Sequence, residues 1–229
     1  MRKKVLAAGL GIFLLLLSGV VFFAKANADE AAVYNAEDVY ERSESAVFYI
    51  RALNGEGALK ATGTGVVVSP DGMAATACHV LSEAVQLEGV FNNGRTVSPI
   101  EVLNCDEQTD AALLKLPALH EGPQGITEYP ALPFRETAVK HGEQVFAIGY
   151  PLKDTPIITE GIVNSPNAEI NGRGRILTSA QIVSGMSGGP IIDKYGRLAG
   201  IISGSLKTMN NIHLVIPMND VRSLMPSPQ

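Results

Sequence analysis

Basic runs are missing from this 229-residue chain once its first 28 residues are set aside. That leader holds four bases (Arg2, Lys3, Lys4 and Lys25) and no acid. The remainder therefore carries 14 Lys+Arg against 23 Asp+Glu, a balance of −9 behind an apparent −5. An acidic domain without a basic run is a poor partner for phosphates, which excludes a nucleic-acid-binding role. Cysteine is equally scarce. Cys78 and Cys105 stand alone, too few for a disulfide-stapled miniprotein and wrongly spaced for a four-ligand zinc site. No metal or other cofactor is implied. No internal repeat of roughly 20–50 residues is present, and no strand–helix alternation supports a Rossmann-like sheet. The hydrophobic content of 46% excludes a disordered chain. The length suits one domain, built of one or two halves.

What is present begins with an address. Arg2-Lys3-Lys4 precedes an uncharged apolar stretch over residues 5–24, and Ala26-Asn27-Ala28 then places small residues at alternate positions. This charged, apolar, small order is that of a secretory signal. The apolar stretch is also long enough to span a bilayer, so residues 1–28 read either as a signal peptide cut after Ala28 or as an uncleaved anchor. Either way the expected location is extracytoplasmic, secreted or at the cell envelope, with membrane attachment only through residues 5–24. Export also makes a disulfide between Cys78 and Cys105 chemically permitted, with two buried thiols as the alternative.

Residues 29–45 are polar and acidic, with a short helix expected over 36–44. Short β-like runs follow at Val47–Leu53, Thr64–Ser69, Met73–Ala77, Val85–Phe91, Thr96–Leu103 and Ala111–Leu116, punctuated by Pro70-Asp71-Gly72 and Asn92-Asn93-Gly94. Residues 117–140 are rich in Pro and Gly and read as a connector. A second β series covers Gln144–Gly149, Ile157–Asn164, Arg175–Gln181, Pro190–Asp193, Leu198–Ser203 and Ile212–Ile216, with a hairpin turn at Asn171-Gly172-Arg173-Gly174. A last short helix is expected over Asn219–Met225. The reading is an all-β fold of two six-stranded antiparallel β-barrels, 46–116 and 141–225, with short N- and C-terminal helices.

The chemistry centres on Gly185-Met186-Ser187-Gly188-Gly189-Pro190. A serine is a weak nucleophile unless a base stands beside it and backbone N–H groups face the developing oxyanion. Flanking glycines permit the backbone angles and close approach that such a loop needs. Because Pro190-Ile191-Ile192 continues as strand, a strand–turn–helix elbow does not fit. His79, at the end of the Met73–Ala77 run, is the candidate base. His120 and His141 read as solvated loop residues, and His213 as a core or pocket-wall residue. Asp110, opening Ala111–Leu116, is the candidate that orients the imidazole. The chain order His79, Asp110, Ser187 matches one triad architecture and puts the first two in the first barrel and the serine in the second. A peptide could then lie extended in the cleft between them.

These segments resemble the trypsin-like serine proteases of the chymotrypsin clan, and most closely the bacterial high-temperature-requirement (HtrA/Deg-type) branch. The residues that carry the resemblance are Gly63–Gly72, Thr76-Ala77-Cys78-His79-Val80, Thr109–Lys115, Val145–Pro151, Gly161-Ile162-Val163, Gly185–Pro190 and Gly196–Ile201. It extends over about Val39–Val221. It implies that Ser187 attacks a peptide carbonyl, His79 relays the proton and Asp110 holds the ring, with the N–H groups of Gly185 and Ser187 as oxyanion hole. It also implies a primary pocket around Ile182, Ile202, Ser203 and Leu214. With no Asp in 179–184, a small or medium apolar P1 side chain is expected; His213 would be the basis of an acidic preference instead. Met186 departs from the branch's usual Asn and removes a polar side chain beside the oxyanion loop. The chain stops at Gln229, where the branch commonly continues into a PDZ domain, so a protease domain without one is expected. The implied function is an exported serine endopeptidase acting on protein or peptide substrates. The alternative is a catalytically weak module that binds peptides or an envelope protein.

Overall fold

The computed structural model describes residues 32–119, 127–153, 155–206 and 209–226. The leader 1–28, its apolar stretch 5–24 and His120 lie outside the described residues. Among the described residues no helix is long and apolar enough to cross a membrane.

The chain from Tyr34 opens with helix α1 (Ala36–Ser43). Asn35 caps it: its Oδ1 accepts from the Asp38 N–H (2.9 Å), and the Asp38 carboxylate accepts from the Asn35 N–H (3.3 Å). Glu37 and Asp38 in the first turn and Arg42 in the last complement the helix dipole. Val39 is fully buried and fastens the helix to the core.

Strands β1 (Val47–Leu53), β2 (Leu59–Val67), β3 (Met73–Ala77), β4 (Gln86–Phe91), β5 (Thr96–Val97), β6 (Glu101–Asp106) and β7 (Ala111–Lys115) form one antiparallel sheet in the order β5-β4-β1-β2-β3-β7-β6. The near-continuous apolar run of β1 suits its central place, where it is buried along almost its whole length. The run expected as a single strand over Thr96–Leu103 is two strands on opposite edges of the sheet. Pro99 has no N–H to continue a ladder, so pairing stops there and resumes at Glu101. The first half is accordingly a curled, open seven-stranded sheet and not a closed six-stranded barrel.

The second half does close. Strands β8 (Gln144–Leu152), β9 (Thr155–Ile170), β10 (Arg173–Thr178), β11 (Pro190–Asp193), β12 (Leu198–Ser205) and β13 (His213–Pro217) form a barrel in the order β10-β13-β12-β11-β8-β9. The β9–β10 hairpin turns at Asn171-Gly172, both at positive φ (53° and 75°), as the sequence suggests. β9 is far longer than the Ile157–Asn164 expected, because its register shifts against β10 let one strand bend around the barrel wall. Helix α2 (Met218–Ser223) follows.

The connector does more than link the halves. The Tyr129 and Leu132 N–H groups donate to Pro70 and Val67 of the first half, and the Arg135 N–H to Leu198 of the second (3.0 Å). Arg135 and Asp193 are buried and paired at 3.2 Å; Glu143 and Arg197 complete the cluster. One hydrophobic core runs from β1, β2 and β7 into Phe146, Ile148, Ile201 and Ile216, so the two halves fold onto a shared interior. Removing one member of a buried ion cluster leaves a partner charge stranded. Arg135→Met is expected to lower unfolding free energy by about 3 kcal/mol, towards the low end for such losses because Arg197 still faces Asp193. Guanidinium unfolding checks this; a loss well below about 1 kcal/mol would show that the cluster carries little stability.

Candidate active site

His79 sits on a 3-10 turn (Cys78–Leu81) that ends β3, and Asp110 immediately precedes β7, the neighbour of β3 in the sheet. The Ala77–Ala111 pairing therefore sets the two candidates side by side. Asp110 occupies the left-handed region (φ 66°), a strained setting for a residue with a side chain, and three contacts hold it there. Its carbonyl accepts from the Cys78 N–H (2.7 Å), and its Oδ1 accepts from the His79 backbone N–H (3.0 Å). His79 Nδ1 lies 3.0 Å from each carboxylate oxygen. A carboxylate only accepts, so Nδ1 carries the proton and Nε2 is left with a free lone pair. The imidazole is half exposed, whereas Asp110 is buried. Cys78 and Cys105 are disulfide-bonded, with their Cα atoms 5.3 Å apart. The bond ties the His79 turn to β6, whose far end pairs with the start of β7.

Burial works against ionisation of Asp110, but hydrogen bonds from His79 and from Ser203, with the imidazole's own field, outweigh it and hold the carboxyl below the usual carboxylate range. Ser203 donates its hydroxyl to Asp110 Oδ2 at 2.6 Å. Its backbone carbonyl accepts from Ser187 Oγ at 3.2 Å. Ser203, expected as a pocket residue, thus joins Ser187 to Asp110, bonding one through its backbone carbonyl and the other through its hydroxyl, so that contacts link His79, Asp110, Ser203 and Ser187 in turn. The Ser187 hydroxyl is turned to that carbonyl rather than to the imidazole.

Two glycines of the loop around Ser187 hold left-handed backbone angles. Gly185 is at φ 92° and Gly188 at φ 87°. The Met186 N–H is bonded to Val183 and the Gly188 N–H to Ile202, but those of Gly185 and Ser187 donate to no acceptor among the described residues. Gly188 has no space for a side chain: a Cβ there would come within 2.0 Å of Thr76 Oγ1 and 2.2 Å of the Thr64 carbonyl. Met186 is fully buried in the core of the second barrel. Gly149 makes room for it, since a Cβ at Gly149 would lie 2.8 Å from Met186 Cβ. The methionine is therefore an apolar anchor for the loop.

Thr64 was not singled out from the sequence, yet it fastens this loop to the first half. Wholly buried, it donates from Oγ1 to the Gly185 carbonyl (2.8 Å) and accepts there from the Tyr150 N–H (2.9 Å). Its own N–H donates to the Ser187 carbonyl (2.8 Å), and its carbonyl accepts from Thr76 Oγ1 (2.8 Å). The available signal was a lone hydroxyl between two glycines, Gly63 and Gly65, in an apolar strand. Of the expected pocket residues, Ile182 and Ile202 are buried in the barrel interior and Leu214 is half-buried. His213 is buried with both nitrogens engaged: Nε2 accepts from Gln181 (2.9 Å), and Nδ1 donates to Ser205 Oγ (2.7 Å). Burial pushes its pKa down, towards the neutral ring. His141 is exposed on a turn.

The family of the trypsin-like peptidase domain matches residues 63–201. The chain is 31% identical over 172 residues to the serine protease HTRA1 of Xenopus laevis, covering 72% of this chain and 36% of that protein. It is 29% identical over 220 residues to the serine endoprotease DegS of Haemophilus influenzae, covering 85% of this chain and 61% of that one. The crystal structure of a serine endoprotease from Yersinia pestis superposes with a TM-score of 0.70 at 28% identity, covering 84% of this chain and 65% of that chain. The chain thus spans between about a third and three fifths of these two curated relatives.

Two outcomes test this geometry. Thr64→Val removes the hydroxyl and strands the Tyr150 N–H and Gly185 carbonyl, each a buried group whose loss of a partner costs about 1–3 kcal/mol. Chemical denaturation is expected to show a loss of about 3 kcal/mol, against about 1 kcal/mol for Thr64→Ser, which keeps the bonds. Equal losses would remove the bridging role. For Asp110, a carboxyl depressed by folding contributes stability that is full above the ordinary value of about 3.9 and vanishes as pH falls through the folded value. The stability gap between wild type and Asp110→Asn is therefore expected to narrow below about pH 4; a gap constant from neutral to acid pH would contradict the depressed carboxyl.

Proposed function

The chain belongs to the family of the trypsin-like peptidase domain, and from that membership we propose that it is an exported serine endopeptidase with Ser187 as nucleophile, His79 as general base and acid, and Asp110 as the group that orients the imidazole and stabilises its charged form. The observation that carries the reading is the series of contacts that links His79, Asp110, Ser203 and Ser187 in turn, beside the unpaired N–H groups of Gly185 and Ser187. As substrate enters, the Ser187 hydroxyl turns from the Ser203 carbonyl to His79 Nε2. Its proton passes to Nε2 as the Oγ–carbon bond forms, and Asp110 stabilises the imidazolium. The oxyanion is received by the two N–H groups. Collapse breaks the C–N bond, the imidazolium gives its proton to the leaving amine, and water activated by the neutral imidazole hydrolyses the acyl-enzyme.

A small or medium apolar P1 side chain remains the preferred reading. Residues 179–184 offer no carboxylate for a Lys or Arg side chain, and Ile182, Ile202 and Leu214 supply apolar surroundings. An acidic P1 is disfavoured because burial lowers the pKa of His213 and both its nitrogens already have protein partners. The leader and the Cys78–Cys105 disulfide support an extracytoplasmic location, secreted or in the envelope. The second reading, a module that binds peptides or an envelope protein without cutting them, draws on the Ser187 hydroxyl being bonded to Ser203 rather than to His79.

A fluorophosphonate probe, with hydrolysis of an unstructured protein, separates the two. Wild type is expected to label and to cleave, and Ser187→Ala to lose labelling and to fall in kcat by on the order of 10⁵–10⁶. Labelling that survives in Ser187→Ala would displace the nucleophile. A folded wild type that neither labels nor cleaves would establish the binding module.

A further inference from the structure

A cavity of about 590 Å³ lies behind the site, walled by the start of β10, the end of the connector, α2 and the Gln108-Thr109 turn. It is larger than the depression of about 480 Å³ over His79 and Asp110, with which it shares Arg173. Its volume is in the range of small-ligand sites. The proposed peptidase chemistry uses none of its other side chains.

Its charges do not balance internally. Arg135 is committed to Asp193 and Glu143, and Arg222 pairs with Glu136 at 3.3 Å. Arg175 is 2% exposed, lines the cavity, and makes a single hydrogen bond, from Nη1 to the Gly174 carbonyl (2.8 Å). Neither it nor the exposed Arg173 pairs with a carboxylate among the described residues. Among the described residues the other four guanidinium N–H groups have no protein acceptor, which leaves them open to the cavity that Arg175 lines. Burial, with the neighbouring charge of Arg173, lowers the guanidinium's pKa in spite of the fields of Asp110 and Asp220. Asp220 lines the same cavity without pairing with Arg175, its carboxylate takes no hydrogen bond among the described residues, and burial raises its pKa.

We propose that this cavity binds the C-terminal end of a peptide, its carboxylate on Arg175 and Arg173 and its last backbone N–H donated to Asp220. A guanidinium fork matches a carboxylate in two parallel hydrogen bonds. Asp220 selects among anions by charge: a peptide end presents a neutral N–H beside a single negative charge, whereas inorganic phosphate places a higher negative charge against the carboxylate.

The test titrates N-acetyl-trialanine, its C-terminal amide and inorganic phosphate into ¹⁵N-labelled Ser187→Ala protein, where no hydrolysis can intervene. The expected amide shifts cluster on Gly174–Ile176 and Asn219–Asp220, for the acid and not for the amide. Arg173→Ala, at an exposed position that folding tolerates, and Arg175→Met are each expected to weaken the acid at least tenfold. Asp220→Asn is expected to weaken the peptide acid and to admit phosphate. Shifts confined to residues 185–188, equal responses to acid and amide, phosphate binding more tightly than the acid to the Asp220-containing protein, or an Arg173→Ala affinity unchanged would each overturn the proposal. Since the readout is binding to a serine-less protein, failure here is distinct from failure of the peptidase reading.

Discussion

One buried hydroxyl organises the site. Thr64 belongs to β2 of the open sheet, yet its side chain and backbone are spent largely on the loop of the closed barrel, through Gly185, Tyr150 and Ser187. A polar group without water must be paired, and each pairing here also fixes a distance between halves. The Gly185 carbonyl is drawn towards Thr64, and this carbonyl, with Gly185 at positive φ, sets the direction of the peptide units before Ser187. The first half of the molecule thus holds the peptide units on either side of the Ser187 N–H, although the loop belongs to the second half. Gly188 completes the approach: only a residue without Cβ lets the loop settle against Thr76 and the Thr64 carbonyl.

The His79–Asp110 pair obeys a different constraint. Asp110 pays for its left-handed backbone with three contacts in which it is the acceptor, two of them from backbone N–H groups of the Cys78–His79 turn. The same carboxylate then takes Nδ1 of His79 and the hydroxyl of Ser203. Its charge is stabilised by donors that come from β7's neighbour on one side and from β12 on the other. The carboxylate is therefore a joint between halves as much as a partner of the imidazole. The disulfide adds a covalent limit on how far the histidine turn can move from β6.

Much of this was legible in the residues. Alternation and turn chemistry placed Val47–Leu53, Met73–Ala77 and Pro190–Asp193 as observed, and the Asn171-Gly172 hairpin followed from two residues tolerant of positive φ. His79 and Asp110, 31 positions apart, were recoverable because each closes or opens a strand and the order with Ser187 is distinctive. Three things were not legible. The edge-to-edge passage at Pro99 changes which strands are neighbours, and pairing partners are not encoded in local pattern. Ser203 read as a pocket residue because its two roles depend on β12 passing between Ser187 and Asp110. Thr64 looked like one more strand residue, its importance arising only from contact with positions 121 residues later.

Met186 shows how the same loop can be secured by other means. A polar residue at this place would support the loop by hydrogen bonding; here the support is burial of a flexible apolar chain into the barrel interior, in space that Gly149 leaves open. Thr64 on one side and Met186 on the other hold successive residues, one by directional bonds and the other by packing. The two anchor points stand on β2 and β8 and hold a loop that lies between β10 and β11, so the course of that loop follows from the folding of the two halves together.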